Sequence, residues 1–533
     1  MDEMAKSSQI FRLFLIVLCS LFMASSQSSA NNLAIGNVVF GQRNLSANTV
    51  TVTFDVSWGN SWRTKINHDA VWVTTRLYNP STSPISKKLC QVSASGINPT
   101  GMSAGSNASL ELDVPSDKFG VFIRPSSYGK NATVTSVSVQ LIVNYDSCGF
   151  SDSDTVSVSV YGVEMVYVPQ GAFYAGDNGT STAAFDQGSS DTDPWYISSE
   201  SSISATNPAS NGYRYVSNGN TDESATGSSF SISSSYPKGY SPFYVMKYEV
   251  SEGDWVEFAN SLPSAGARTS RDLTDNLHKN SDSVKYRNTM SCSGSPLTCS
   301  TSRPARAASY LSWMDVAAFL DWAALRPISE LEYEKIARGP VLAVRGEFAW
   351  GSTTITAAST VSSGAETGAE TVTTTNANTH YNNMTLSGGD TGSGADYQLG
   401  PLRGGIFSTS SSTRESAGAG YYGVMELSGN LRERAVTVGN VTGRNFSATH
   451  GDGVLTAASG YEGNATNSDW PGIDGAAERG VTGAAGSGFR GGAWDDQSSG
   501  ARLRISDRAD AANTSASALN NAGGRGARTH NVN

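Results

Sequence analysis

Residues Gly420–Val438 read GYYGVMELSGNLRERAVTV. Gly423 and Gly429 give the backbone shapes that other residues resist, and Gly429-Asn430 is a turn dipeptide between two apolar-bearing segments. Glu426 and Glu433 flank that turn, with the carbonyls of Gly429 and Leu431 between them. Oxygens gathered around a tight turn suit Ca²⁺ better than a soft metal. On spacing alone, an ordinary turn with two solvated carboxylates is the better reading of the stretch.

Working outward, other blocks fall in a fixed order around this one. Upstream lie EMVYVPQGAFYAGD (Glu164–Asp177) and YVMKYEVSEGDWVEFAN (Tyr244–Asn260). Then come RPARAASYLSWMDVAAFLDWAALRPISELEYEKIARG (Arg303–Gly339) and FAWGS (Phe348–Ser352). Downstream lie GFRGGAWDD (Gly488–Asp496) and GGRGAR (Gly523–Arg528). In content and order these blocks resemble the formylglycine-generating enzyme (sulfatase-modifying factor) family, with the opening stretch in the place of its G-N-x-W-E-W core. The resemblance implies an α+β C-type-lectin-like fold with long loops. It also implies a structural Ca²⁺ held by the Glu426 side chain, the Gly429 and Leu431 carbonyls and the Glu433 side chain, although the family usually has Asn at the place of Glu426. A second family site would fall near Asn378 and Thr379.

The resemblance implies fold more firmly than activity. Family enzymes hold copper with two cysteines after the R-G-G-S block. Here Asp496 stands in the first place and Gly500 or Ala501 in the second, and no cysteine follows Cys299. Without thiolates there is no soft site for Cu(I). The related sulfoxide synthases use three histidines on iron. The five histidines here, His68, His278, His380, His450 and His530, show no ligand spacing and read as surface or turn residues. The expectation is a non-catalytic protein. Two alternatives stay open. One is a family enzyme with altered chemistry, oxidoreductase-like, using Asp495, Asp496 and Arg504. The other is a glycan-binding lectin using Trp470 and Trp494.

The 533-residue chain is long enough for two or three domains. It is 38% apolar and 16% charged with 55 glycines, so its loops should be long and polar. A net charge of −10 without a basic run argues against nucleic-acid binding. Lys6 and Arg12 precede an apolar run, Leu13–Ala24, and Ser28 and Ala30 suit a cleavage site, so residues 1–30 read as an export signal. That run is short for a membrane span, and the mature protein is expected to be secreted or on the cell surface. Cys90, Cys148, Cys292 and Cys299 then remain, an even number in an exported chain. Pairing within domains joins Cys90 to Cys148 and Cys292 to Cys299.

Residues 31–161 alternate with period two. Thr49–Trp58 puts Val50, Val52, Phe54, Val56 and Trp58 on one face, and Asp69–Tyr78, Phe119–Arg124, Ala132–Tyr145 and Asp154–Tyr161 are further strands. Turns at short intervals make this an all-β, immunoglobulin-like antiparallel sandwich. Its first segment, Asn31–Gln42, is either an ordinary first strand or one donated to a neighbouring subunit's sheet. Residues 162–533 form the lectin-like domain, with polar inserts at about 176–241 and 352–418. Its helices should carry capping boxes at Ser312/Asp315 and Ser329/Glu332, the second closing at Gly339, with Trp313, Val316, Ala317, Leu320 and Ala324 buried. Nine sequons, at Asn44, Asn107, Asn131, Asn178, Asn383, Asn440, Asn445, Asn464 and Asn513, are acceptors if the host makes N-glycans. The functional expectation is an exported structural or adhesive protein. Self-association into a surface filament, or contact with other surface proteins and glycans, is its specific form.

Overall fold

The computed structural model describes residues 33–93, 102–104, 108–179, 181–187, 193–206, 212–217, 229–363, 371–389 and 393–530. The export signal and Asn107 lie outside these, as does the Asn131 side chain. The fold is mostly β with few helices, as a C-type-lectin-like domain requires.

The N-terminal part consists of β1 (Ala34–Asn44), β2 (Thr49–Arg63), β3 (Asp69–Tyr78), β4 (Lys88–Val92), β5 (Met102–Ala104), β6 (Ala108–Asp113), β7 (Val121–Pro125) and β8 (Gly129–Asn144). β1, β2 and β8 pair in that order, β4 bonds both β8 and β3, and β7 bonds β3 and β6. The alternation read in β2 is present: Val50, Val52, Phe54, Val56 and Trp58 are buried and the residues between them half-buried. They pack on Val71, Val73, Val121, Ile123, Leu141 and Val143 in one apolar core. The segment that could have been donated to a neighbour is used within the chain, since β1 pairs antiparallel with β2 from Ala34↔Ser57 to Asn44↔Thr49. Cys90–Cys148 and Cys292–Cys299 are both disulfide-bonded, as expected.

The two halves share a strand. β9 (Ser157–Val168) pairs with β3 over ten residues, Asp69↔Val166 to Tyr78↔Ser157. Its far edge pairs with Phe243–Met246, which pairs in turn with Gly526–Thr529. The boundary drawn between residues 161 and 162 therefore falls inside a continuous strand. Because side chains of a strand alternate between faces, β3 serves two cores at once. Val71, Val73 and Leu77 face the N-terminal core, while Ala70 and Trp72 join the core built around helix Trp313–Trp322. Gly162 sits where β1 crosses β9, and a Cβ there would lie 2.6 Å from the Ile35 Cδ1.

Helices Trp313–Trp322 and Glu330–Arg338 begin with the expected capping boxes, and Gly339 closes the second at φ 71°. Trp313, Val316, Ala317, Leu320 and Ala324 are all buried. Within the first insert, Asp186–Gln187, Tyr213–Arg214, Ile203–Thr206 and Phe230–Ile232 form a small sheet. In the second, Thr360–Ser363 pairs with Ser387–Gly389. Among the described residues no helix is long and apolar enough to cross a membrane.

Candidate functional site

Helix Glu330–Arg338 organises the region where relatives would hold a metal. Its amphipathic spacing turns Glu330 and Glu334 inward on the same face, one turn apart. Arg490 bridges them, at 3.0 Å to Glu330 and 2.7 Å to Glu334. Arg508 adds a contact to Glu330 at 2.8 Å, and Arg338 pairs with Glu334 at 3.0 Å. All five side chains are buried, and each charge has a partner, which is the condition for keeping ions inside a protein. This network fixes the strand Ser487–Arg490 and the Gly491-Gly492 turn that follows it.

Beyond that turn the residues are committed to structure. Asp496 accepts the Ala493 backbone N–H at 2.7 Å, with the Arg502 guanidinium 3.8 Å away. Asp495 accepts twice from the Asn521 side chain, at 2.9 and 3.0 Å. Gly500 is left-handed, at φ 59°. The cleft among Arg432, Phe489, Asp496, Arg502 and Asp510 encloses about 10 Å³. That is room for roughly one water.

The Gly429 turn needs its glycine, because a Cβ at φ 93° would lie 2.2 Å from Thr379 Oγ1 and 2.7 Å from the His380 carbonyl. The next residue, Asn430, is also left-handed, and its side chain accepts the Leu402 N–H at 2.8 Å and donates to Glu249. Glu249 also accepts the Leu431 N–H at 2.9 Å. Glu426, Glu433 and Glu249 are all buried, and the charges of Glu433 and Glu426 both act on Glu249. Burial, with the Glu433 charge second, holds Glu249 well above the ordinary carboxylate range. Burial pushes Glu426 up to about 7.

A family model described as the sulfatase-modifying factor enzyme 1-like domain matches residues 153–529. The chain belongs to the sulfatase-modifying factor family. Comparison with curated proteins finds no match. The family match begins four residues before β9, so the shared strand lies within the family domain.

The family's structural calcium can be tested against these residues. Arg525 donates to both oxygens of Glu433, at 2.5 and 2.7 Å. The same guanidinium donates to the carbonyls of Met425 at 2.7 Å, Met246 at 3.1 Å and Lys247 at 3.2 Å. It therefore supplies the positive charge that a metal would have brought. Glu426 Oε1 accepts the Gly405 N–H at 2.7 Å, which leaves Oε2 as the one buried, unpartnered side-chain oxygen of the expected set. The ligand set Glu426, Gly429, Leu431 and Glu433 does not fit a calcium ion in this arrangement, because Glu433 is consumed by Arg525. Near the second expected site, Asn378 accepts the Thr356 N–H at 3.0 Å and donates to the Thr354 carbonyl at 3.2 Å, so its side chain is also occupied. Among the described residues no three His, Cys, Asp or Glu side chains gather as metal ligands.

Other sequence expectations shift as well. Trp470 and Trp494 are buried and donate their indole N–H groups to the carbonyls of Thr449 and Asn520, so neither ring offers a face to a sugar. His68 and His380 are buried rather than on the surface. His68 bonds the Tyr244 hydroxyl at 2.9 Å, and His380 Nε2 meets the Gly400 carbonyl at 3.0 Å. Asn464 cannot carry a glycan as folded: it is buried, accepts from Arg271 at 2.6 Å and donates to the Arg479 carbonyl at 3.1 Å. Asn440 and Asn513 are half-buried and hydrogen-bonded, whereas Asn44, Asn178, Asn383 and Asn445 are exposed. Reading the sequence by blocks missed Arg525 and Glu249 as the partners of the turn. The available signal was Glu433 on the strand Arg432–Val436, a carboxylate that needs a cationic partner once the strand is buried.

Proposed function

We propose that this member of the sulfatase-modifying factor family is an exported, non-catalytic protein with a structural or adhesive role at the cell surface. The observation that carries this reading is the replacement chemistry at the family's copper position. Asp496, Gly500 and Ala501 stand there, and the sequence holds no cysteine after Cys299. Oxygen and small side chains cannot supply the soft ligands that Cu(I) prefers. The disulfides are in keeping with an oxidising, extracellular setting. The N-terminal all-β part, read as an immunoglobulin-like sandwich, is the proposed contact module. Among the described residues its outermost strand, β1, pairs along one edge only and exposes Val39 and Phe40, which suits pairing with another copy of the chain.

The test is direct. Purified protein is incubated with a cysteine-bearing peptide and aldehyde is sought by mass spectrometry, alongside metal analysis. No aldehyde and no stoichiometric copper or iron is the expected result. Aldehyde formation would overturn the reading. Negatively stained secreted material should show assemblies, and unchanged assembly after deletion of residues 31–42 would remove the strand-pairing version.

A further inference from the structure

A cavity of about 340 Å³ opens at the seam between the N-terminal β part and the family domain. Its walls come from both. One is the end of β2 and the turn after it, with Asn60, Trp62, Thr64 and Asn67, together with Lys130 at the start of β8. The other is the Tyr421–Met425 stretch, the hydroxyl-rich turn at residues 408–413, and Lys247 with Tyr248. Asn67 ties the walls together by donating to the Tyr422 carbonyl at 2.9 Å. The first wall lies outside residues 153–529, so the family domain alone does not contain this cavity.

Three features of the lining define what it can hold. Aromatic surface is concentrated there: Trp62, Tyr248, Tyr421 and Tyr422 all border the space, and Tyr421 is 38% exposed. Hydroxyl and amide side chains supply both donors and acceptors without charge. Among the described residues the charged ones lining it are Lys130, Lys247 and Arg414, with no carboxylate, although the whole chain carries −10. Lys247 is already paired with Glu164 at 3.0 Å. Arg414 is held in place by carbonyls, those of Ala337 at 2.8 Å and Ala349 at 2.6 Å, and lies over the Tyr421 ring. Lys130 is exposed at the mouth.

We propose that this seam cavity binds an acidic saccharide of one or two rings. The sugar would lie against the open edges of Trp62 and Tyr421, whose faces carry Lys247 and Arg414, its hydroxyls would meet the turn at 408–413, and its carboxylate would face Lys130, with the Arg414 charge behind. The volume is at the lower end of that of ligand pockets, which suits a ligand of this size. A charged group in a cleft of opposite sign gains both affinity and selectivity over its neutral counterpart. The proposal stands whether or not the protein assembles, and it needs no catalysis.

Titration calorimetry and saturation-transfer NMR on the full mature chain test it, with glucuronic acid, N-acetylneuraminic acid and a digalacturonide as acidic probes. Glucose and N-acetylglucosamine are the neutral probes. Acidic probes should bind at least about tenfold more tightly than neutral ones, with affinity falling as salt rises. Lys130→Glu, an exposed position, should weaken acidic binding about tenfold and leave the melting temperature unchanged. Trp62→Ala should abolish it, and Trp62→Phe should retain part of it in a protein that still folds. Equal binding of neutral and acidic probes, binding of neither, tighter binding of a nucleoside monophosphate, or a Lys130→Glu variant that binds like the parent would each overturn the proposal.

Discussion

Arg525 donates two hydrogen bonds to Glu433 across 92 positions of sequence, and neither side chain reaches solvent. Removing one partner leaves a buried, uncompensated charge, which costs about 3–5 kcal/mol. Glu433→Gln and Arg525→Met should each lose stability of that order in urea denaturation. The double variant Glu433→Leu/Arg525→Met should recover part of it, and simple addition of the two losses would contradict the pairing.

The same ion pair bears on the calcium expectation. With the guanidinium in the cation's place, a chelator should leave the melting midpoint unchanged at neutral pH. A fall in midpoint with chelator, reversed by added Ca²⁺, would show that an ion binds after all and stabilises the native state by mass action.

Trp72 donates its indole N–H to the Ala323 carbonyl at 3.0 Å, which joins β3 to the end of helix Trp313–Trp322. Arg76 on the same strand lies over the Trp322 ring, 3.8 Å from its centroid. With β9 shared as well, the two halves should unfold together. Calorimetry should give one transition rather than two. Trp72→Ala should cost about 3–5 kcal/mol and lower that single transition.

The two disulfides should differ in weight. Cys90–Cys148 spans 58 positions and Cys292–Cys299 only 7. In the chain-entropy account the longer loop is worth about 4 kcal/mol and the shorter about 2 kcal/mol. Paired Cys→Ser variants compared by denaturation should rank in that order, and the reverse ranking would contradict the loop-length argument.

His278 contributes a pH dependence whose sign is fixed. Burial lowers its pKa, but Asp315 at 3.0 Å more than offsets this, so the folded value lies above the ordinary 6.5. Arg271 opposes the shift and Asp272 adds to it. A raised folded pKa means that the stabilisation is fully present below the unfolded value and is lost as pH rises through the folded one. The difference in stability between the parent and His278→Gln should therefore be larger at about pH 5.5 than at about pH 8.5. A constant difference would rule the ion pair out.

The sequence by itself determined the local features. The alternation of Val50 to Trp58, the capping boxes at Ser312 and Ser329, the disulfide pairs and the family blocks were all legible. Each depends on neighbours within a turn or a strand, or on a small number of possible pairings. The tertiary structure alone decided three things: that β9 belongs to both halves, that Arg525 faces Glu433, and that Trp470 and Trp494 are core residues. No local period encodes a partner 92 positions away. The choice follows from which strands lie side by side and which buried charges must be neutralised once water is excluded.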